Sequence, residues 1–133
     1  MTRNEARETL MQIMYEMEAS KTISPETASR LTEEKLSGNH IVRGKDLLFY
    51  IIDHLDEIDG SINACSRSWK TNRMPKVDLA IMRLSIGEIR CSDDVPNAVI
   101  INEAINLAKK FSTDQSSRFI HGILGAILNQ HEE

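Results

Sequence analysis

The stretch Leu47–Ile62, LLFYIIDHLDEIDGSI, decides the fold class. Leu47, Leu48, Ile51, Ile52, Leu55, Ile58 and Ile62 recur at the helical period, interleaved with Asp53, Asp56, Glu57 and Asp59 on the solvent side. This pattern predicts one long central helix buried along a broad stripe. Towards the N-terminus, Asn39 to Lys45 reads as a loop, preceded by a helix that ends near Leu36. That helix opens at Ser24 and Pro25, an N-cap followed by proline at the first helical position. A first helix begins about Glu5, with Leu10, Ile13, Met14 and Met17 at spacings of three and four.

Towards the C-terminus the stripe dissolves after Ala64 into a segment containing Trp69. From Ser61 to Val77 the chain carries Arg67, Lys70, Arg73 and Lys76 and no acid. Pro75 then introduces a helix with Leu79, Ile81, Met82, Leu84 and Ile86, and Asp78 near its start complements the helix dipole. Asp94, Val95 and Pro96 start the next helix, whose expected inward positions are Val99, Ile100, Ala104, Leu107 and Ala108. A polar turn from Ser112 to Ser117 leads to the last helix, with Phe119, Ile120, Ile123, Leu124, Ile127 and Leu128. Gly122 and Gly125 inside it would permit close approach of a neighbour. No region alternates apolar and polar residues like a strand. The expectation is an all-α bundle of six or seven helices, with residues 1–133 forming a single domain.

Composition narrows the function. The 133 residues carry a net charge of −4, so any nucleic-acid site must be a local patch, not a basic surface overall. Cys65 and Cys91 form no CxxC. His40, His54, His121 and His131 form no i, i+4 pair, so neither a metal nor another cofactor is expected. No apolar run is long enough for a membrane span, and a soluble, cytoplasmic protein is expected. A GxSxG elbow, a phosphate-cradling glycine loop and an HExxH helix are all absent, which argues against an enzyme. A helix-turn-helix DNA reader is the alternative, but neither of the last two helices is a convincing groove reader: the fifth is acidic and apolar in its middle, and the last carries little charge beyond Arg118.

The strings KVDLAIMRLSIGEI (Lys76–Ile89) and DVPNAVIINEAINL (Asp94–Leu107), followed by AKKF and SSRFIHGIL, resemble the NusB family in order and spacing. Ala6, Arg7 and Glu8, with Tyr15 further on, extend the likeness over most of the chain. The resemblance implies a helical fold in two subdomains and a transcription antitermination factor acting in the RNA polymerase antitermination complex. It also implies binding to boxA-type single-stranded RNA together with NusE, a small-subunit ribosomal protein. Family members occur as monomers and dimers, so a homodimer stays open.

Carried over by position, the resemblance implies RNA contacts at Arg3, Arg7, Gln115, Arg118 and Phe119, and a partner-facing role for Tyr15 and Asp78. Arg3, Arg7, Arg118 and Phe119 are expected to meet in one continuous surface. Guanidinium groups on phosphates and rings stacked on bases would make such a surface work. Phe119, at helical spacing with Ile123, fits a core position as well, and Asp78 fits a first-turn helix stabiliser. Arg83, central in an apolar helix, is expected in a structural ion pair. His121, Gly125, Asn97 and Ala98 depart from the family pattern and thin the charge of the RNA surface.

Overall fold

The computed structural model describes residues 1–67, 69–91 and 94–132, the side chains of 130–132 excepted. Seven α-helices follow in order: α1 (Arg3–Ser20), α2 (Pro25–Lys35), α3 (His40–Asp53), α4 (Leu55–Cys65), α5 (Lys76–Cys91), α6 (Asn97–Phe111) and α7 (Asp114–Glu132). No strand occurs among the described residues.

Local chemistry sets most of the boundaries. Thr2 caps α1 through a reciprocal box: its hydroxyl accepts from the Glu5 amide at 3.1 Å, and the Glu5 carboxylate accepts from the Thr2 amide at 2.9 Å. At the other end Lys21 adopts the left-handed conformation, φ 57°, and the Thr22 amide reaches back to the Met17 carbonyl. Ser24 caps α2 with Pro25 at its first position, as its sequence predicts.

The long central helix is instead two. His54 breaks the run with φ −113° and ψ 22°, separating α3 from α4. Its Nδ1 bonds the Tyr50 carbonyl at 2.8 Å, and its ring stacks on Tyr50 with centroids 4.1 Å apart. A side chain held on the preceding turn competes with helix continuation. Asp56 and Glu57 restart the helix with acid in its first turn. The apolar stripe survives the break: Leu47, Leu48, Ile51, Ile58 and Ile62 are buried, and Ile52 and Leu55 half-buried. Further differences follow from tertiary packing. The expected loop from Asn39 to Lys45 is helical from His40, and α7 begins at Asp114 within the expected turn. Val99, expected inward, is exposed.

The helices form two groups that share α5. Helices α1, α2 and α3 pack together and α1 and α3 lie on α5, while α4, α6 and α7 gather on it from the other part of the chain. The buried side chains of both groups form one continuous cluster, from Leu10 and Met14 through Ile81 and Leu84 to Ile120 and Leu124. Close approach is not at Gly122 or Gly125, where an added Cβ would meet nothing. It is at Gly87, where a Cβ would lie 2.5 Å from Ile51 Cγ1, and at Gly44, where it would lie 2.6 Å from Leu36 Cδ1.

Candidate nucleic-acid interface

The arginines of this chain divide into those committed to the fold and those left to solvent. Arg7 leaves α1 just before Leu10 and is turned inward with it. Its Nε and one terminal nitrogen donate to the two Glu88 oxygens at 2.9 and 2.7 Å, and Glu103 lies 3.9 Å away. The Arg7 and Glu88 side chains are only 9% and 10% exposed. These hydrogen bonds from Arg7 to Glu88 raise the pKa of the guanidinium against the opposing effect of burial, so it stays charged. Arg7 is thus a brace between α1 and α5, and its guanidinium is not left free at the surface. Arg83 likewise donates to both oxygens of Asp59 and, at 3.0 Å, to Glu18, which is the structural ion pair expected of it.

Asp78 is also turned inward. It is 0% exposed, and its oxygens accept from the Ser112 and Ser116 hydroxyls, each at 2.7 Å. The carboxylate pins the start of α7 onto the start of α5. Tyr15, by contrast, is 41% exposed on α1.

The expected RNA residues are held in two groups of contacts. Arg3 stands with Arg43 on either side of Asp94, at 3.9 and 2.8 Å from the same carboxylate oxygen. They rim a depression of about 150 Å³ that also includes His40, Arg7 and Val95. The Asp94 carboxyl is held below its usual range, first by its own backbone amide and then by the Arg43 hydrogen bond. His40 and Arg43 were hidden from sequence reasoning because their segment reads as a loop.

The other group is built on the α4–α5 connection and the start of α7. Gln115 and Arg118 are exposed, and Phe119 is half-buried at the edge of the core. Its ring meets Trp69 edge to face, with centroids 5.9 Å apart and planes at 61°. The connection carrying Trp69 is tied back to α4. Lys70 Nζ donates to the Asn63 and Ser66 carbonyls, the Thr71 amide donates to Asn63 Oδ1, and the Ser66 hydroxyl donates to the Trp69 carbonyl. The remaining cations here, Arg67, Arg73, Lys76 and Arg118, have no carboxylate partner among the described residues. A positively charged, partly aromatic surface is therefore left facing water on an acidic protein.

No cluster of metal-ligating side chains occurs among the described residues, and no helix among them is long and apolar enough to cross a membrane. The NusB family model matches residues 4–129. The transcription antitermination protein NusB of Desulforamulus reducens is 39% identical over 135 residues, covering 100% of this chain and 94% of the relative. That of Agathobacter rectalis is 40% identical over 127 residues, covering 93% and 97%. Among solved structures, T. maritima NusB superposes with a TM-score of 0.86 at 26% identity, covering 96% of this chain and 90% of the other. The fold recurs, at a TM-score of 0.82 and 23% identity over 96% of each chain, in NusB solved with NusE and double-stranded RNA. A family match over nearly the whole sequence, carried by helices that superpose on solved members, means that this chain belongs to the NusB family.

Proposed function

We propose that this protein is a transcription antitermination factor that binds boxA-type single-stranded RNA together with NusE, as part of the RNA polymerase antitermination complex on ribosomal RNA transcripts. The observation that carries the reading is a set of exposed cations without carboxylate partners among the described residues, Arg67, Arg73 and Lys76 on or next to the connection that carries Trp69 and Arg118 next to Phe119, on a chain of net charge −4. Such a surface fits a single strand, whose phosphates take the guanidinium groups and whose bases take a ring. Arg3 and Arg43 add two further guanidinium groups about Asp94, and Gln115 adds a donor and acceptor beside Arg118. Tyr15 is assigned to the NusE-facing side. The protein acts by holding its partners and not by catalysis, in the cytoplasm where transcription proceeds.

Fluorescence anisotropy with boxA-type RNA, with and without NusE, tests this. Affinity should fall with salt, with a slope of about −0.7 for each phosphate neutralised on a single strand, and Arg118→Ala should flatten the slope by about one contact. Affinity for duplex DNA equal to that for RNA, or no RNA retention even with NusE, refutes it.

A further inference from the structure

We infer that Trp69 is a base-stacking residue of this protein, forming with Phe119 a two-ring platform for nucleobases of single-stranded RNA. The inference rests on the RNA-binding reading above and extends it to a residue outside the expected set. Trp69 is 43% exposed, unusual for the largest apolar side chain, and it is the only tryptophan in the sequence. Its contact with Phe119 is edge to face, so the two rings do not cover each other as a parallel stack would.

The backbone of Trp69 is tied by hydrogen bonds to the end of α4. Ser66 bonds both the amide and the carbonyl of Trp69, and the flanking Lys70 and Thr71 are bonded to the end of α4. Ordering the ring on binding therefore costs little backbone entropy. Arg67 lies two residues before Trp69 and Arg118 directly before Phe119, and neither has a carboxylate partner among the described residues. An exposed ring beside a half-buried one, flanked by guanidinium groups without carboxylate partners among the described residues, matches the needs of a single strand, stacking for bases and positive charge for phosphates. An exposed ring that served packing alone would have no use for that rim.

Because Trp69 is the sole tryptophan, its fluorescence reports the site directly. Titration with boxA-type single-stranded RNA should quench it, saturating with the anisotropy signal. Trp69→Phe should keep most of the affinity. Trp69→Leu retains apolar bulk against Phe119 but has no π face, and should lose about 5- to 150-fold with an unchanged salt slope and little change in melting temperature. An unquenched tryptophan at saturating RNA, or Trp69→Leu binding as well as Trp69→Phe, overturns the inference. If the wild type still binds RNA with a salt-dependent affinity in that case, the functional reading stands and only the Trp69 assignment falls. If the wild type binds no RNA with or without NusE, both fall.

Discussion

Replacing Arg7 by Ala separates a brace from a phosphate ligand. In the folded protein the Arg7 guanidinium makes a two-bonded pair with Glu88 at 2.9 and 2.7 Å, and both side chains are about nine-tenths buried. The Ala variant leaves the Glu88 carboxylate in place without its cation. Removing one member of a buried pair costs about 3–5 kcal/mol, because the remaining charge is neither solvated nor compensated. With an unfolding entropy of about 2.1 cal/mol/K per residue, 133 residues convert this to a melting temperature lower by about 11–18 °C.

Thermal unfolding followed by circular dichroism measures the shift, with urea unfolding as a second determination. The double variant Arg7→Met with Glu88→Leu removes both charges and should recover most of the loss, since a buried pair replaced by packed apolar groups is often neutral. Glu103, which lies 3.9 Å from Arg7 and is partly exposed, keeps access to water in either variant. RNA affinity of the folded double variant should match the wild type. If Arg7→Ala melts within about 4 °C of the wild type and its RNA salt slope falls by one contact, Arg7 is a phosphate ligand and the brace is refuted.

Asp78→Ala should cost at least about 1.5–3 kcal/mol, because two serine hydroxyls lose an ionised acceptor, while NusE binding by the folded protein is unchanged; lost NusE binding at an unchanged melting temperature would restore the partner role. Gly87→Ala should destabilise by about 1–3 kcal/mol, as the new methyl meets the branch of the buried Ile51, whereas Gly44→Ala meets only the terminal methyls of Leu36 and Leu10 and should cost less by the same thermal assay. Lys21→Gly should stabilise by up to about 1 kcal/mol, since Lys21 holds a left-handed conformation that glycine adopts without a Cβ penalty. The Glu5 carboxyl is held below its usual range chiefly by the Thr2 amide, so its contribution is complete above the unfolded pKa and is lost as pH falls through the lower folded one. The stability gap between wild type and Glu5→Gln should accordingly be constant above about pH 5 and close as the pH falls further.

The sequence makes the helices legible where local chemistry decides them. Ser24–Pro25 marks the start of α2, Pro75 precedes α5, and the stripes of Leu10 to Met17 and Leu79 to Ile86 identify the core faces. The break at His54 was not legible, since no proline or glycine stands there and the interruption depends on a ring lying back over Tyr50. The inward turn of Arg7 did have a signal. Arg7, Leu10, Met14 and Met17 lie at spacings of three and four, so Arg7 occupies the stripe itself, and Ile81, Leu84 and Glu88 do the same on α5. Two opposite charges on two core-facing stripes call for each other. The likeness to the family supplied a role for Arg7 without supplying its burial.

The same distinction explains why charge counts say little about what this chain binds. Of its arginines, Arg7 and Arg83 are consumed by carboxylates inside the fold, and Arg3 and Arg43 are partly neutralised by Asp94. What remains for an external polyanion is set by which cations lack partners, and among these Arg67, Arg73, Lys76 and Arg118 lie where the acid-free segment Ser61–Val77 meets the start of α7. The segment was visible as a gap in the acidic residues, but its meeting with Arg118 and Phe119 required two tertiary contacts, Asp78 with Ser116 and Trp69 with Phe119. Asp78 supports the proposed surface from inside, by holding the start of α7, which carries Arg118 and Phe119, against the start of α5.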